Sequence, residues 1–372
     1  MTHVLMALIL VFVTVGWFLL ALVPALREHY GRSDVGPLRV ASAAADIRYF
    51  AISFQNFVNV RLDALRAGSD ATVPRVTTLP DGSGVWYASK ATGQSHPVTV
   101  FEGADEAAIA QGLVVISEAS VRVASGVQVL KELYTSRSLE GEMGCVYRAI
   151  LVGGDAILGP GSEVLRWVNT GGALAVGSGS TLWGRASSWG VMAIGEGTQF
   201  QRLAAPRIEF GWPQVVREPD TRVRTAMTPP NHVSVFASRW VVDGDLHIPD
   251  SESVDADLIV SGRLTVGRGA RLGGAVRCDV LVSADDAVFA RSVVATTALS
   301  CGSQCDVAGP VVVEGEAVFG DRCRVGDRAR ETTISASSVR IGNGAVMHGE
   351  IWARRQGVVA AIPLNTALAP AA

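Results

Sequence analysis

The side chains of this chain suited to proton transfer near neutral pH are six histidines, His3, His29, His96, His232, His247 and His348. None has an acidic partner at a recognisable spacing. A solvated surface position is the plainer reading of each, and His232, His247 and His348 are the candidates for a general base. Carboxylates crowd one stretch as Asp243, Asp245, Asp250, Asp255 and Asp257, and Asp285 adjoins Asp286. Glycoside cleavage needs two carboxyl groups in distinct acid and base roles. No such pair stands out, and acidic residues in turns are usually solvated. The five cysteines, Cys145, Cys278, Cys301, Cys305 and Cys323, form no C-x-x-C pair and have no matching histidines, so a zinc site is not indicated. Cys305 and Cys323 stand one coil apart and read as small core residues. An odd cysteine count without a pairing framework favours a reducing compartment. The Gly-x-Gly pairs complete neither GxGxxG nor a P-loop. No catalytic, cofactor-binding or metal residue is assigned, and no cofactor is expected.

The elements that carry these residues follow from a six-residue beat. Val152, Leu158, Val164, Thr170, Val176, Leu182, Ser188, Ile194 and Phe200 keep it without a break. It returns at Val242, Ile248, Val254, Val260, Val266, Leu272, Cys278 and Ala284. One residue is dropped near 284–289, and Phe289, Ala295, Cys301, Val307, Val313, Phe319 and Val325 carry it on. Fixed-period self-similarity marks a repeat architecture. Three sixes give a coil of ~18 residues, in which each side supplies one inward aliphatic residue. Turn-like hexads recur at that interval: LGPGSE (158–163), VGSGST (176–181) and IGEGTQ (194–199), then VGRGAR (266–271), FGDRCR (319–324), VGDRAR (325–330) and IGNGAV (341–346). Gly159, Gly177, Gly195, Gly267, Gly320, Gly326 and Gly342 sit where positive φ or close backbone approach is open to glycine alone. The residues three further on (Ser162, Ser180, Thr198, Ala270, Cys323, Ala329, Ala345) are small and are expected inside. The fold expected is mainly β: a parallel β-helix, or β-solenoid, preceded by a transmembrane helix and a small α+β region.

Val4 to Val23 carries no charge, and at 1.5 Å per residue it spans about 30 Å, the thickness of a bilayer core. Arg27, Arg32 and Arg39 follow it, which places the rest of the chain in the cytoplasm by the positive-inside bias. A cleaved signal peptide is the rival reading. Residues 37–67 read as an amphipathic helix through Ile47, Phe50, Phe54, Phe57, Val58 and Leu62, packing on its own domain. Residues 98–134 are expected to cap the first coil, because a bare solenoid end exposes unpaired strand groups. Between the two ladders, 212–240 is rich in proline and holds Arg217, Arg222 and Arg224. Its prolines exclude a regular coil, and a partner could bind there. The expected organisation is an anchor (1–26), an α+β cap region (27–145), a first solenoid block (146–211), the insertion (212–240), a second block (241–355) and a loose tail (356–372). A net charge of −3 gives no reason to expect a nucleic-acid partner.

Hexads of the [LIV]-G-x-x-[STA]-x type resemble those of left-handed-helix acyltransferases, which use a histidine base. The run RWVVDGDLHIPDSESVDADLIVSGRLTVGRGARLGG (239–274) and the phrase RIGNGAVMHGEIWA (340–353) resemble the bactofilins, polymer-forming bacterial cytoskeletal proteins. That resemblance covers 240–355 well and 148–211 loosely. It implies a right-handed β-helix, self-assembly without nucleotide, attachment to the cytoplasmic face of the membrane, and scaffolding of envelope or cell-shape enzymes. The chain departs from the compact family pattern in its apolar segment, its N-terminal region and its split ladder. The expectation is therefore a non-enzymatic, membrane-anchored scaffold of the bacterial inner membrane. It would self-associate through solenoid ends or faces and engage envelope proteins. A hexapeptide-type acyltransferase and a carbohydrate-active or carbohydrate-binding β-helix are the alternatives.

Overall fold

Each coil of this chain folds because one short aliphatic side chain per side points inward and the backbone groups pair with the coils above and below. A computed structural model describes residues 46–67, 74–79, 82–90, 97–100, 112–211 and 222–360, with isolated positions between 5 and 23. It is a mainly β protein, a β-solenoid of about 13 turns. The expected membrane segment 4–23 and residues 361–372 of the tail lie largely or wholly outside the described residues, whereas 356–359, expected in the loose tail, complete the strand Val346–Val359. Among the described residues no helix is long and apolar enough to cross a membrane.

The six-residue ladder is buried at every step except Ala284, which is exposed while Ser283 turns inward. The dropped residue is therefore not at 284–289. Leu258 pairs with Val276, but Arg263 pairs with Val280, so the shortened corner is at 278–280. The hexad 325–330 also departs from expectation. Arg324 and Val325 pair with Val346 and Met347, which leaves 326–331 as a protruding turn. Asp327 Oδ1 accepts the N–H groups of Ala329 and Arg330 at 2.7 and 2.8 Å, and Ala329 is exposed.

The coiling begins well before residue 146. Parallel pairing runs from Gly84–Ala88 through Val114–Ser117 and Gln128–Thr135 into Val146–Val152. Residues 114–134 are thus coils, not a cap. What covers the 84–88 strand is Arg75–Thr78, laid on it antiparallel. The amphipathic stretch gives the helix Tyr49–Arg66. It lies along the flank of the coils with Ala51, Val58, Leu62 and Leu65 buried.

The two blocks do not stack head to tail. The last strand of the first block, Gln199–Phe210, pairs antiparallel with the last strand of the second, Val346–Val359. The second block thus starts away from this seam and returns to it. Its first coil is covered by the described part of the insertion. Thr225–Ala226 lies parallel to Glu252–Val254, and Val233–Phe236 lies antiparallel on Arg239–Val242.

Candidate functional site

His3, His29 and His96 lie outside the described residues, and the other residues that suggested chemistry are dispersed. His247 projects outward from the first coil of the second block, whereas His348 sits in its last coil. Five coil steps of ~4.8 Å separate those levels by about 24 Å. His348 Nδ1 lies 2.8 Å from the Pro206 carbonyl, inside the seam, and His232 is exposed in the insertion.

The aspartates are committed to the corners. Asp245 Oδ1 accepts the backbone N–H of Arg263 at 2.7 Å, Asp250 that of Arg268 at 2.7 Å, Asp257 that of Ala275 at 2.8 Å and Asp285 that of Ser303 at 2.8 Å. Each ties one coil to the next, which is why acidic residues cluster at this spacing. Asp243 accepts from the Ser261 hydroxyl at 3.0 Å, and Asp286 pairs with Arg222 at 3.1 Å. All five cysteines are free and buried. Burial pushes the Cys278 thiol up to about 12, and burial raises the Cys145 and Cys323 thiols as well. Those three thiols stay protonated in the core. Among the described residues no cluster could hold a metal ion.

The basic insertion is tied to its own chain. Besides the Arg222–Asp286 pair, Arg224 Nε donates to the Gly269 carbonyl at 2.8 Å. The N–H groups of Thr225 and Met227 then donate to Ser251 and Ser253 at 3.2 and 2.9 Å. Arg222 and Arg224 thus anchor the returning chain along one corner of the second block. Arg217 lies outside the described residues.

Three arrangements remain that sequence patterns left unread. The first is the seam. Phe200 faces Gly357, Leu203 faces Ile351 and Ile208 faces Met347, with the Arg202 guanidinium 4.5 Å above the Trp352 ring. Backbone bonds close it beyond the paired strands: Gly197 N to Val359 O at 2.8 Å, Phe210 N to Ala345 O at 3.0 Å, and Gly344 N to Phe210 O at 2.7 Å. The available sign was the loss of corner hexads in LAAPRIEF and IWARRQGVV, where both ladders end.

The second is the outer end of the second block. Val233–Phe236 pairs with Arg239–Val242 and, among the described residues, with no other strand. Val235 and Phe236 on it are 50% and 63% exposed. An open apolar edge of this kind is a template for further pairing.

The third is a cleft of about 630 Å³ between the helix Tyr49–Arg66 and the first block. Phe50, Phe54, Phe57 and Trp167 form one wall, and Lys131, Arg148 and Arg166 enter from the coils. The basic residues recur at coil intervals, a signal present in the sequence but overshadowed by the inward ladder. No family model matches the chain, and neither a curated protein nor a solved structure matches it.

Proposed function

We propose that the protein is a non-catalytic, bactofilin-like scaffold that associates end to end with further copies of itself beside a membrane. The observation that carries this reading is the seam. The chain joins two solenoid ends through antiparallel backbone pairing and a close side-chain fit. The same physics is available at the outer end of the second block, where the edge strand Val233–Phe236 carries exposed Val235 and Phe236. A second copy presenting the same edge would pair there antiparallel, as the two blocks do within the chain. The dispersal of the histidines and the engagement of the aspartates favour this reading over an acyltransferase or a carbohydrate-cleaving enzyme. Anchoring through 4–23, a cytoplasmic location of the bulk of the chain, right-handed winding and recruitment of envelope proteins belong to the same proposal.

The test is sedimentation velocity and electron microscopy on the full chain and on a Val235→Lys/Phe236→Lys variant. The wild type is expected to form end-to-end oligomers or filaments. The variant, with unchanged circular dichroism, is expected to stay monomeric. A wild type that remains monomeric at every concentration reached would sink the proposal. Alkaline phosphatase fused after residue 40 tests the orientation, since activity there would place the solenoid outside the cytoplasm.

A further inference from the structure

We propose that the cleft beside the helix Tyr49–Arg66 binds an amphipathic organic anion. Its phosphate or carboxylate would sit at Arg148 and Arg166, and its apolar body against Phe54, Phe57 and Trp167. The volume of about 630 Å³ lies within the range of small-molecule sites. The apolar side is a continuous aromatic surface, with Phe54 and Phe57 stacked at 5.8 Å between ring centroids and Phe54 at 5.9 Å from Trp167.

The charged side is a column. Tyr147 pairs with Val129 below and Val164 above, so Lys131, Arg148 and Arg166 rise on three successive coils. Coils stack at ~4.8 Å, and like charges at such spacing repel. Among the described residues Glu132 is the one carboxylate lining the cleft, and it pairs with Arg148 at 3.7 Å. Three cations against one anion leave the described lining positive, beside an apolar wall that weakens solvent screening. A neutral apolar ligand would leave that charge uncompensated, and a small inorganic anion would leave the aromatic wall wet. A molecule with both parts satisfies both sides.

The experiment is calorimetric titration of the full chain with octyl phosphate below its micellar concentration, with octanol and inorganic phosphate as controls. Octyl phosphate is expected to bind saturably at one site, with both controls much weaker. Arg166→Gln, at an exposed side chain, and Arg148→Gln/Arg166→Gln, each with unchanged circular dichroism, are expected to weaken binding by about tenfold or more. Phe54→Ala should weaken octyl phosphate while leaving inorganic phosphate unchanged. Co-sedimentation with phosphatidylglycerol vesicles, against phosphatidylcholine, distinguishes the source of the anion. Dependence on both arginines there assigns a bilayer lipid, and binding of free octyl phosphate alone assigns a soluble amphiphile. The 4–23 segment is present in every protein compared, so only the arginine dependence is read. Absence of saturable octyl phosphate binding, or binding unchanged in the arginine variants, overturns the proposal. The self-association test above is independent of either result.

Discussion

Gly357 lies directly opposite Phe200 across the seam, and the Phe200 ring fills the space that a side chain at 357 would need. A Cβ built there would overlap Cε2, Cζ and Cδ2 of the ring. The two blocks are thus matched as knob and recess, on strands that stand about 150 residues apart in the chain.

Gly357→Ala is accordingly expected to destabilise the seam by about 1–3 kcal/mol through overpacking. Phe200→Leu in the same chain should recover part of that loss. A double-mutant cycle from denaturant midpoints reads the coupling. Additive effects would mean that the two residues do not share the space.

The corner glycines divide into two kinds that sequence inspection merged. A Cβ at Gly177 would run into the backbone of Gly159 and Pro160, whereas Gly179 has φ +66 and open space around it. Gly177→Ala should therefore cost about 3 kcal/mol by forcing coils apart. Gly179→Ala should cost about 1 kcal/mol, the penalty of the left-handed conformation alone. The same conformation is borne by Ser251, Asp286, Gln304 and Arg322, in a column with Gly269 and Gly344. Gln304→Gly should relieve up to about 1 kcal/mol, offset in part by chain entropy. Thermal midpoints of the three variants provide the check, and equal losses for the two alanine variants would contradict the division.

The helix Tyr49–Arg66 carries a pH-dependent tether. Arg66 donates to Glu118, and the Tyr87 hydroxyl donates to the same carboxylate at 2.7 Å. The Arg66 bond comes first among the causes that hold the Glu118 carboxyl below its ordinary value, against the opposing effect of burial. A depressed folded-state pKa gives stabilisation that is complete above the unfolded value and is lost as pH falls through the folded one. The C-terminal turn of the helix should thus loosen below the ordinary glutamate range, about pH 4. Hydrogen exchange at 62–66 reads this. In Glu118→Gln the loosening should be present already at neutral pH and change little with acid.

The inward ladder, its coil length and the small residues at the corners were legible because a three-sided coil demands one apolar residue per side at a constant interval. That demand is local, so it is written in spacing. It held from Val152 to Phe200 and from Val242 to Val325, and yielded only at Ala284 and in the turn after Val325. The aspartate corners were visible as composition but not as bonds, because each carboxylate finds its N–H on the next coil. The coils before residue 146 carry the same six-residue beat at Val115, Val121, Val127, Leu133, Leu139 and Cys145, all buried; fewer corner glycines and a one-residue slip between Cys145 and Val152 separate it from the later ladder. What tertiary structure alone decided is the direction in which the second block runs. The hexads are compatible with head-to-tail stacking and with the antiparallel seam alike. Only the fit of Phe200 to Gly357, with the anchoring of Arg222 and Arg224 to the far corner, selects the seam. The aromatic and basic cleft belongs to the same class. Its parts come from a helix and three coils distant in sequence, and no local rule brings Phe54 to Trp167.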